Sequence, residues 1–227
     1  MESRQMLLDL KPEQPPTLDN FVVGANAELV DRLRQLASSR SFEALYLWGP
    51  AGCGKSHLLA AAAEAARARR PVLALDGAAA GSDIAPATGT LLVIDDAQAL
   101  GEEAQGALFR AFNAARFLGL AILLAGSEPP LRLALREDLR TRIGQALIYE
   151  IQALSDEEKA AALRRHAMER GMLMDPAVVQ YLLRHGRRDL PSLMAMLDNL
   201  DRASLEQKRP PTVPLLRELM QTPLDLE

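Results

Sequence analysis

Eight consecutive residues, Gly49-Pro50-Ala51-Gly52-Cys53-Gly54-Lys55-Ser56, constrain this chain more than any other feature. They follow a short apolar run, Leu45-Tyr46-Leu47-Trp48, and precede an alanine-rich run from His57 to Arg70 with strong helix propensity. Strand, glycine loop and helix in that order are the setting in which such a pattern cradles phosphate. The glycines let backbone N–H groups turn inward around phosphate oxygens, and the new helix adds its positive N-terminal end. Lys55 is placed to reach the β- and γ-phosphates, and the Ser56 hydroxyl to hold Mg²⁺. Gly49 to His57 therefore form the expected nucleotide-binding set, with His57 packing in the first helical turn. A glycine-rich turn that binds nothing does not account for every fixed position being filled.

Downstream, Leu91-Leu92-Val93-Ile94 runs straight into Asp95-Asp96. Four buried β-formers ending in two carboxylates have the shape of a Walker B strand, which delivers acids to the C-terminal edge of a parallel sheet. Asp95 is expected in the Mg²⁺ shell and Asp96 beside the attacking water. Val72 to Asp76 reads as another buried parallel strand, and Ala121 to Ala125 as a third that ends in Gly126-Ser127. Ser127 is a candidate sensor of the γ-phosphate, although serine at a strand end is also ordinary turn chemistry. Leu131 to Leu139 reads as helical, with Arg140 to Gly144 ending that element, and Leu147 to Ile151 as the last strand. Ahead of the loop, Phe21-Val22-Val23 precedes a helix with Leu29, Leu33 and Leu36 on one face. That apolar segment reads either as a cover for the nucleotide base or as plain core.

From Ser155 the pattern changes to consecutive helices. Ser155 and Glu158 form a capping box, Asp175-Pro176 and Asp189 start two further helices, and Pro210-Pro211 precede a short last one. Three parts follow: an arm over 1–20, an α/β nucleotide-binding domain over 21–153, and a small all-helical lid over 154–227. A hydrophobic content of 48% supports a core, and with 4% aromatics the core must be aliphatic. The single cysteine, Cys53, excludes an internal disulfide and reads as filler in the loop. With no signal core and no membrane-length apolar run, the chain is expected to be soluble and cytoplasmic. A net charge of −4, nearly balanced within the lid, argues against strong direct DNA binding. His166 and His185 read as surface residues, and Met168, Met172, Met194 and Met196 as lid packing rather than metal ligands.

The arm carries Gln5-Met6-Leu7-Leu8-Asp9-Leu10, whose apolar residues need a partner's pocket or the domain itself to bury them. Phosphate loop, Leu-Leu-Val-Ile-Asp-Asp, strand-end sensor and helical lid together resemble the AAA+ ATPases, specifically their DnaA-like branch. Thr17 to Gly24 and Gly54 to Leu59 are similar to the entry and phosphate loop of DnaA. Ile148-Tyr149 through Lys159, and Leu197 to Ser204, resemble the shorter regulatory inactivators of DnaA. The resemblance runs from residue 5 to about residue 220.

That resemblance implies a function. Gln5, Met6, Leu7, Leu8 and Leu10 match the peptide by which these proteins grip the DNA sliding clamp. Held there with ADP (or ATP) and Mg²⁺, such a protein makes DnaA-ATP hydrolyse its nucleotide, and DnaA-ADP cannot fire the origin again. The implied device is an arginine finger matching Arg142, with Arg140 beside it. One departure concerns the lid. Pro191 stands where the family usually has an arginine facing the γ-phosphate, with Arg187 and Arg188 just upstream, so Arg188 is the remaining candidate. ADP is accordingly the expected resting ligand and intrinsic ATPase activity is expected to be weak. A second Gln-x-x-Leu-x-Leu copy, Gln221 to Leu226, reads as another anchor or as a self-association peptide in a homodimer. An origin-binding initiator needs a DNA-binding domain after the lid, for which the 227 residues leave no room. An independent ATPase serving helicase or clamp loading remains the alternative.

Overall fold

The computed structural model describes residues 15–39 and 41–221. They fall into two compact units that divide between Ala153 and Leu154.

The first unit is a five-stranded parallel sheet in the order β2-β3-β4-β1-β5. Its strands are β1 (Glu43–Trp48), β2 (Val72–Asp76), β3 (Leu91–Asp95), β4 (Ala121–Gly126) and β5 (Leu147–Glu150). Helices α1 (Ala27–Ser38), α2 (Lys55–Arg67), α3 (Glu102–Leu118) and α4 (Glu137–Gly144) pack around it. Successive strand residues face opposite sides, so the sheet serves two cores. Leu45, Leu47, Val93 and Leu123 pack with Leu33, Leu36 and Leu58 of α1 and α2. Tyr46, Leu92, Ile94, Ile122 and Leu124 pack with Leu108, Phe112, Leu139 and Ile143 of α3 and α4. Being covered on both faces, β3 and β4 need uninterrupted apolar sequence, and they have it.

Three expectations change here. β2 is parallel but is an edge strand and only half-buried, because β3 covers one side of it and, among the described residues, no strand covers the other. The helix expected over Leu131 to Leu139 is split. A single 3₁₀ turn spans Pro130–Arg132, α4 begins at Glu137, and the chain between bends at Leu133 and Leu135, both of which enter the core. Residues 15–20, grouped with the arm, are tied down. Thr17 N–H donates to Asn20 Oδ1 (2.9 Å), Asn20 N–H returns a bond to Thr17 Oγ1 (3.1 Å), and Leu18 is buried.

At the edge of the sheet where the strands begin, Arg70 is 5% exposed and binds four backbone carbonyls. Its guanidinium donates to Gly89 (2.7 Å), Ser39 (3.0 Å), Thr90 (3.2 Å) and Gly119 (3.0 Å). The planar fork thereby joins the segments leading into β1, β3 and β4. Arg70→Met keeps the apolar stem but takes a donor from each carbonyl; Thr90 keeps the Ala121 N–H (3.0 Å), and each half-buried acceptor left bare costs about 1–3 kcal/mol. Its urea midpoint is expected to fall by an amount equivalent to about 3 kcal/mol or more, and Arg70→Lys, lacking the fork, recovers only part of that.

The second unit contains α5 (Asp156–Glu169), α6 (Pro176–His185), α7 (Leu190–Gln207) and α8 (Val213–Gln221) around Leu163, Val178, Leu182, Leu193, Leu197, Leu200, Leu215 and Leu216. Ser155 and Glu158 form the reciprocal capping box, Asp175 caps α6, and Asp189 caps α7. Two surface assignments reverse. Met168 is 77% exposed rather than packed. His166 is half-buried, with Nε2 2.6 Å from Asp198 Oδ1, and Arg170 Nε lies at the same distance from that oxygen. Burial pushes the Asp198 carboxyl up, but hydrogen bonds and charge from His166 and Arg170 outweigh it and hold the group below the usual carboxylate range. Among the described residues no helix is long and apolar enough to cross a membrane.

Candidate nucleotide-binding site

Parallel strands end together, and here β1, β3 and β4 bring their C-terminal ends to one edge of the sheet. Trp48 pairs with Gly126 and Ile94 with Leu124, so Gly49, Asp95 and Ser127 all leave the sheet on that side. Ligands of open α/β sheets bind at this edge.

The loop from Gly49 to Gly54 joins β1 to α2, which begins at Lys55 itself. Lys55 is only 9% exposed, and its ammonium donates to the carbonyls of Gly49 (2.9 Å) and Pro50 (3.0 Å). A buried cation therefore lies inside the curl of the loop, at the N-terminal end of a 13-residue helix. Gly54 has φ +102°, and a Cβ on it would meet the Phe21 ring edge at 2.7 Å. Only glycine allows both the left-handed backbone and the ring's close approach. Pro50, Ala51, Gly52 and Ser56 are exposed, and Cys53 is half-buried. Burial pushes the Cys53 thiol up, against the pull of the Lys55 charge, so the thiol is the inert form.

Phe21 and Val23 pack against the α1–α2 core, and the Phe21 ring also faces His57, with centroids 5.6 Å apart. His57 Nε2–H donates to the Thr17 carbonyl at 3.0 Å, so this histidine ties the entry segment to α2. Val22 is half-buried.

Asp95 closes β3, and its Oδ1 accepts the Asp96 N–H at 2.9 Å. Asp96 is exposed, in the left-handed region at φ 46°, ψ 52°. A non-glycine residue there stores about 1–3 kcal/mol, which the surroundings must offset. Gln98, which the sequence pattern did not single out, holds it: Nε2 donates to Asp96 Oδ1 (2.9 Å) while Oε1 accepts the Ser127 N–H (3.1 Å). Tyr46, buried mid-strand, donates its hydroxyl to the Glu128 carbonyl at 2.6 Å and so fixes the turn that carries Ser127. Desolvation and the nearby Glu128 charge push the Tyr46 phenol far up, keeping it a donor. A Cβ at Gly126 would run into that hydroxyl.

The donor set suits a phosphate–Mg²⁺ group: a buried ammonium and helix N-terminus for the anion, and oxygens of Ser56 and Asp95 for a hard cation. Among the described residues no cluster of three or more His, Cys, Asp or Glu forms a metal cage of its own. A cation here would complete its shell from substrate phosphate and water.

The remaining candidates lie elsewhere. Leu139 and Ile143 anchor α4 in the core, one helical turn apart, and leave Arg142 exposed and Arg140 half-buried. In the second unit Arg188 is exposed just ahead of α7, whose first turn holds Pro191. Gln5 to Leu10 lies outside the described residues, as does the C-terminal copy beyond Gln221.

Comparison with known proteins matches residues 156–220 to the lid domain of Hda and residues 13–75 to the bacterial DnaA ATPase domain. An uncharacterized protein of Haemophilus influenzae is 28% identical over 96% of this chain and 99% of its own length. AMPPCP-bound DnaA from Aquifex aeolicus superposes with a TM-score of 0.70 at 25% identity, over 87% of this chain and 68% of that one. Domain III of Thermotoga maritima DnaA shares the fold with a TM-score of 0.75 at 18% identity, over 93% of this chain and all of that one. A DnaA-type phosphate-loop unit and an Hda-type lid, joined in one chain, make this an Hda/DnaA-like AAA+ protein.

Proposed function

We propose that this protein is a negative regulator of replication initiation that holds ADP and stimulates hydrolysis of DnaA-bound ATP. In this reading Gly49 to Ser56 wrap the phosphates, with Lys55 exchanging its two loop carbonyls for phosphate oxygens. Mg²⁺ supplies charge neutralisation across the phosphates when bound, and Ser56 and Asp95 are the residues that would hold it. Phe21, Val22, Val23 and His57 support the loop from the entry side. The resemblance matches Pro191 to the family's lid arginine, which supports ADP as resting ligand and weak intrinsic turnover and leaves Arg188 as the candidate arginine.

The observation that carries the regulatory reading is the setting of Arg142. It is exposed on a helix whose Leu139 and Ile143 are fully buried, so a flexible cation stands on a rigid base. A guanidinium delivered that way into a neighbour's site stabilises charge growing on the transferred phosphoryl group. Gln5 to Leu10 would tether the protein to the sliding clamp and so raise its concentration at DNA where DnaA acts.

The test measures hydrolysis of DnaA-bound ATP with clamp-loaded DNA. Gln5→Ala with Leu8→Ala is expected to remove at least nine-tenths of the stimulation on clamp-loaded DNA while ADP affinity stays within twofold. Full stimulation by that variant removes the clamp from the scheme. No stimulation by the wild-type protein removes the regulatory role.

A further inference from the structure

The ends of β3 and β4 are joined by one side chain. From Ser127 a chain of hydrogen bonds runs through Gln98 to Asp96 and on to Asp95: Ser127 N–H to Gln98 Oε1, Gln98 Nε2–H to Asp96 Oδ1, and Asp96 N–H to Asp95 Oδ1. Its direction is set by chemistry. A backbone N–H can only donate and an ionised carboxylate can only accept, so the Gln98 amide has one orientation that satisfies both. Gln98 itself sits on the 3₁₀ turn Ala97–Ala99, pinned by buried Ala97 and Leu100. The Gly126 Cα leaves room for the amide, since a Cβ there would lie 3.3 Å from Gln98 Oε1.

We propose that Gln98 is a positioning residue through which this site discriminates nucleoside triphosphate from diphosphate. It rests on the phosphate-loop reading above. Asp96 brings a negative charge to the sheet edge where a third phosphate would extend. The Gln98 N–H partly neutralises that charge, fixes the carboxylate's direction and links it to the β4 tip, so the two walls hold one geometry. A diphosphate stops short of these walls and does not sense them. Without the amide donor, Asp96 turns freely and its charge opposes the terminal phosphate.

Gln98→Glu isolates the effect. The new carboxylate still accepts the Ser127 N–H, but it faces Asp96 as a second negative charge in place of a donor. Gln98→Met keeps the volume and removes both bonds. Mg·ADP and the non-hydrolysable analogue Mg·AMPPCP are titrated into the full-length protein and both variants, with thermal midpoints recorded alongside. ADP affinity is expected to stay within twofold throughout. AMPPCP affinity falls about tenfold or more in Gln98→Glu and less in Gln98→Met. A purely structural role predicts equal losses for both nucleotides, and such a result overturns the proposal. So does wild-type discrimination in either variant. A wild-type protein that binds neither nucleotide overturns the phosphate-loop reading itself, and this inference with it.

Discussion

The Arg142→Ala protein is expected to bind ADP as the wild type does and to lose about a thousandfold in its stimulation of DnaA-bound ATP hydrolysis. The size follows from what an arginine finger supplies when it completes a neighbour's phosphoryl-transfer site. The folding cost should be small, because Arg142 is exposed and alanine is a good helix former. Its two buried neighbours, Leu139 and Ile143, keep α4 seated on the core in the variant. Arg142→Lys should restore little of the activity, since an ammonium lacks the planar fork that contacts two phosphate oxygens at once. Arg140→Ala serves as the control, being half-buried and one position removed from the outward face. Stimulation that survives Arg142→Ala and fails in Arg140→Ala would move the finger to Arg140. Stimulation that survives both would end the arginine-finger account. Single-turnover hydrolysis on preloaded DnaA is the measurement, because it separates the chemical step from nucleotide exchange.

Lys55→Ala is expected to weaken ADP binding by about a hundredfold to a thousandfold. Removing one partner of a buried, charged hydrogen-bonded pair costs about 2–5 kcal/mol, and each 1.4 kcal/mol is tenfold in affinity. Two effects add here. The phosphates lose their ammonium, and the Gly49 and Pro50 carbonyls lose the donor that shapes the loop without ligand. The readout is the fluorescence of Trp48, the single tryptophan, which immediately precedes Gly49. ADP should change that emission in the wild-type protein and leave Lys55→Ala unaltered at concentrations that saturate the wild type. Equal titrations for the two proteins would show that the loop does not hold the phosphates through this lysine.

Much of the architecture is legible in the residue order because its determinants are local. Uninterrupted apolar runs mark β3 and β4, since strands covered on both faces tolerate no polar position. The lid helices announce their starts through side chains that bond N–H groups two or three residues on, as Ser155, Asp175 and Asp189 do. The phosphate loop is also contiguous, which is why eight letters suffice to find it. Where a proline and an unpatterned run meet, local reading fails. The residues after Pro130 have helix-compatible composition, yet the chain bends there to draw Leu133 and Leu135 into the core, and burial outweighs propensity.

What the residue order determined by itself is thus every strand and most of the helices, the loop that curls around Lys55 and the two carboxylates at the end of β3. What only the tertiary structure decided is every arrangement whose partners are far apart in the chain. Arg70 reaches Gly119 across 49 positions, Gln98 reaches Ser127 across 29, and Tyr46 reaches Glu128 across 82. Nothing in the spacing of those residues encodes their meeting. They meet because parallel strands with crossover connections place distant segments side by side at the two ends of one sheet. The edge position of β2 follows from the same cause, and the seat of His166 against Asp198 from the packing of α5 beside α7. Periodicity reports which face of an element is buried, and only packing reports against what.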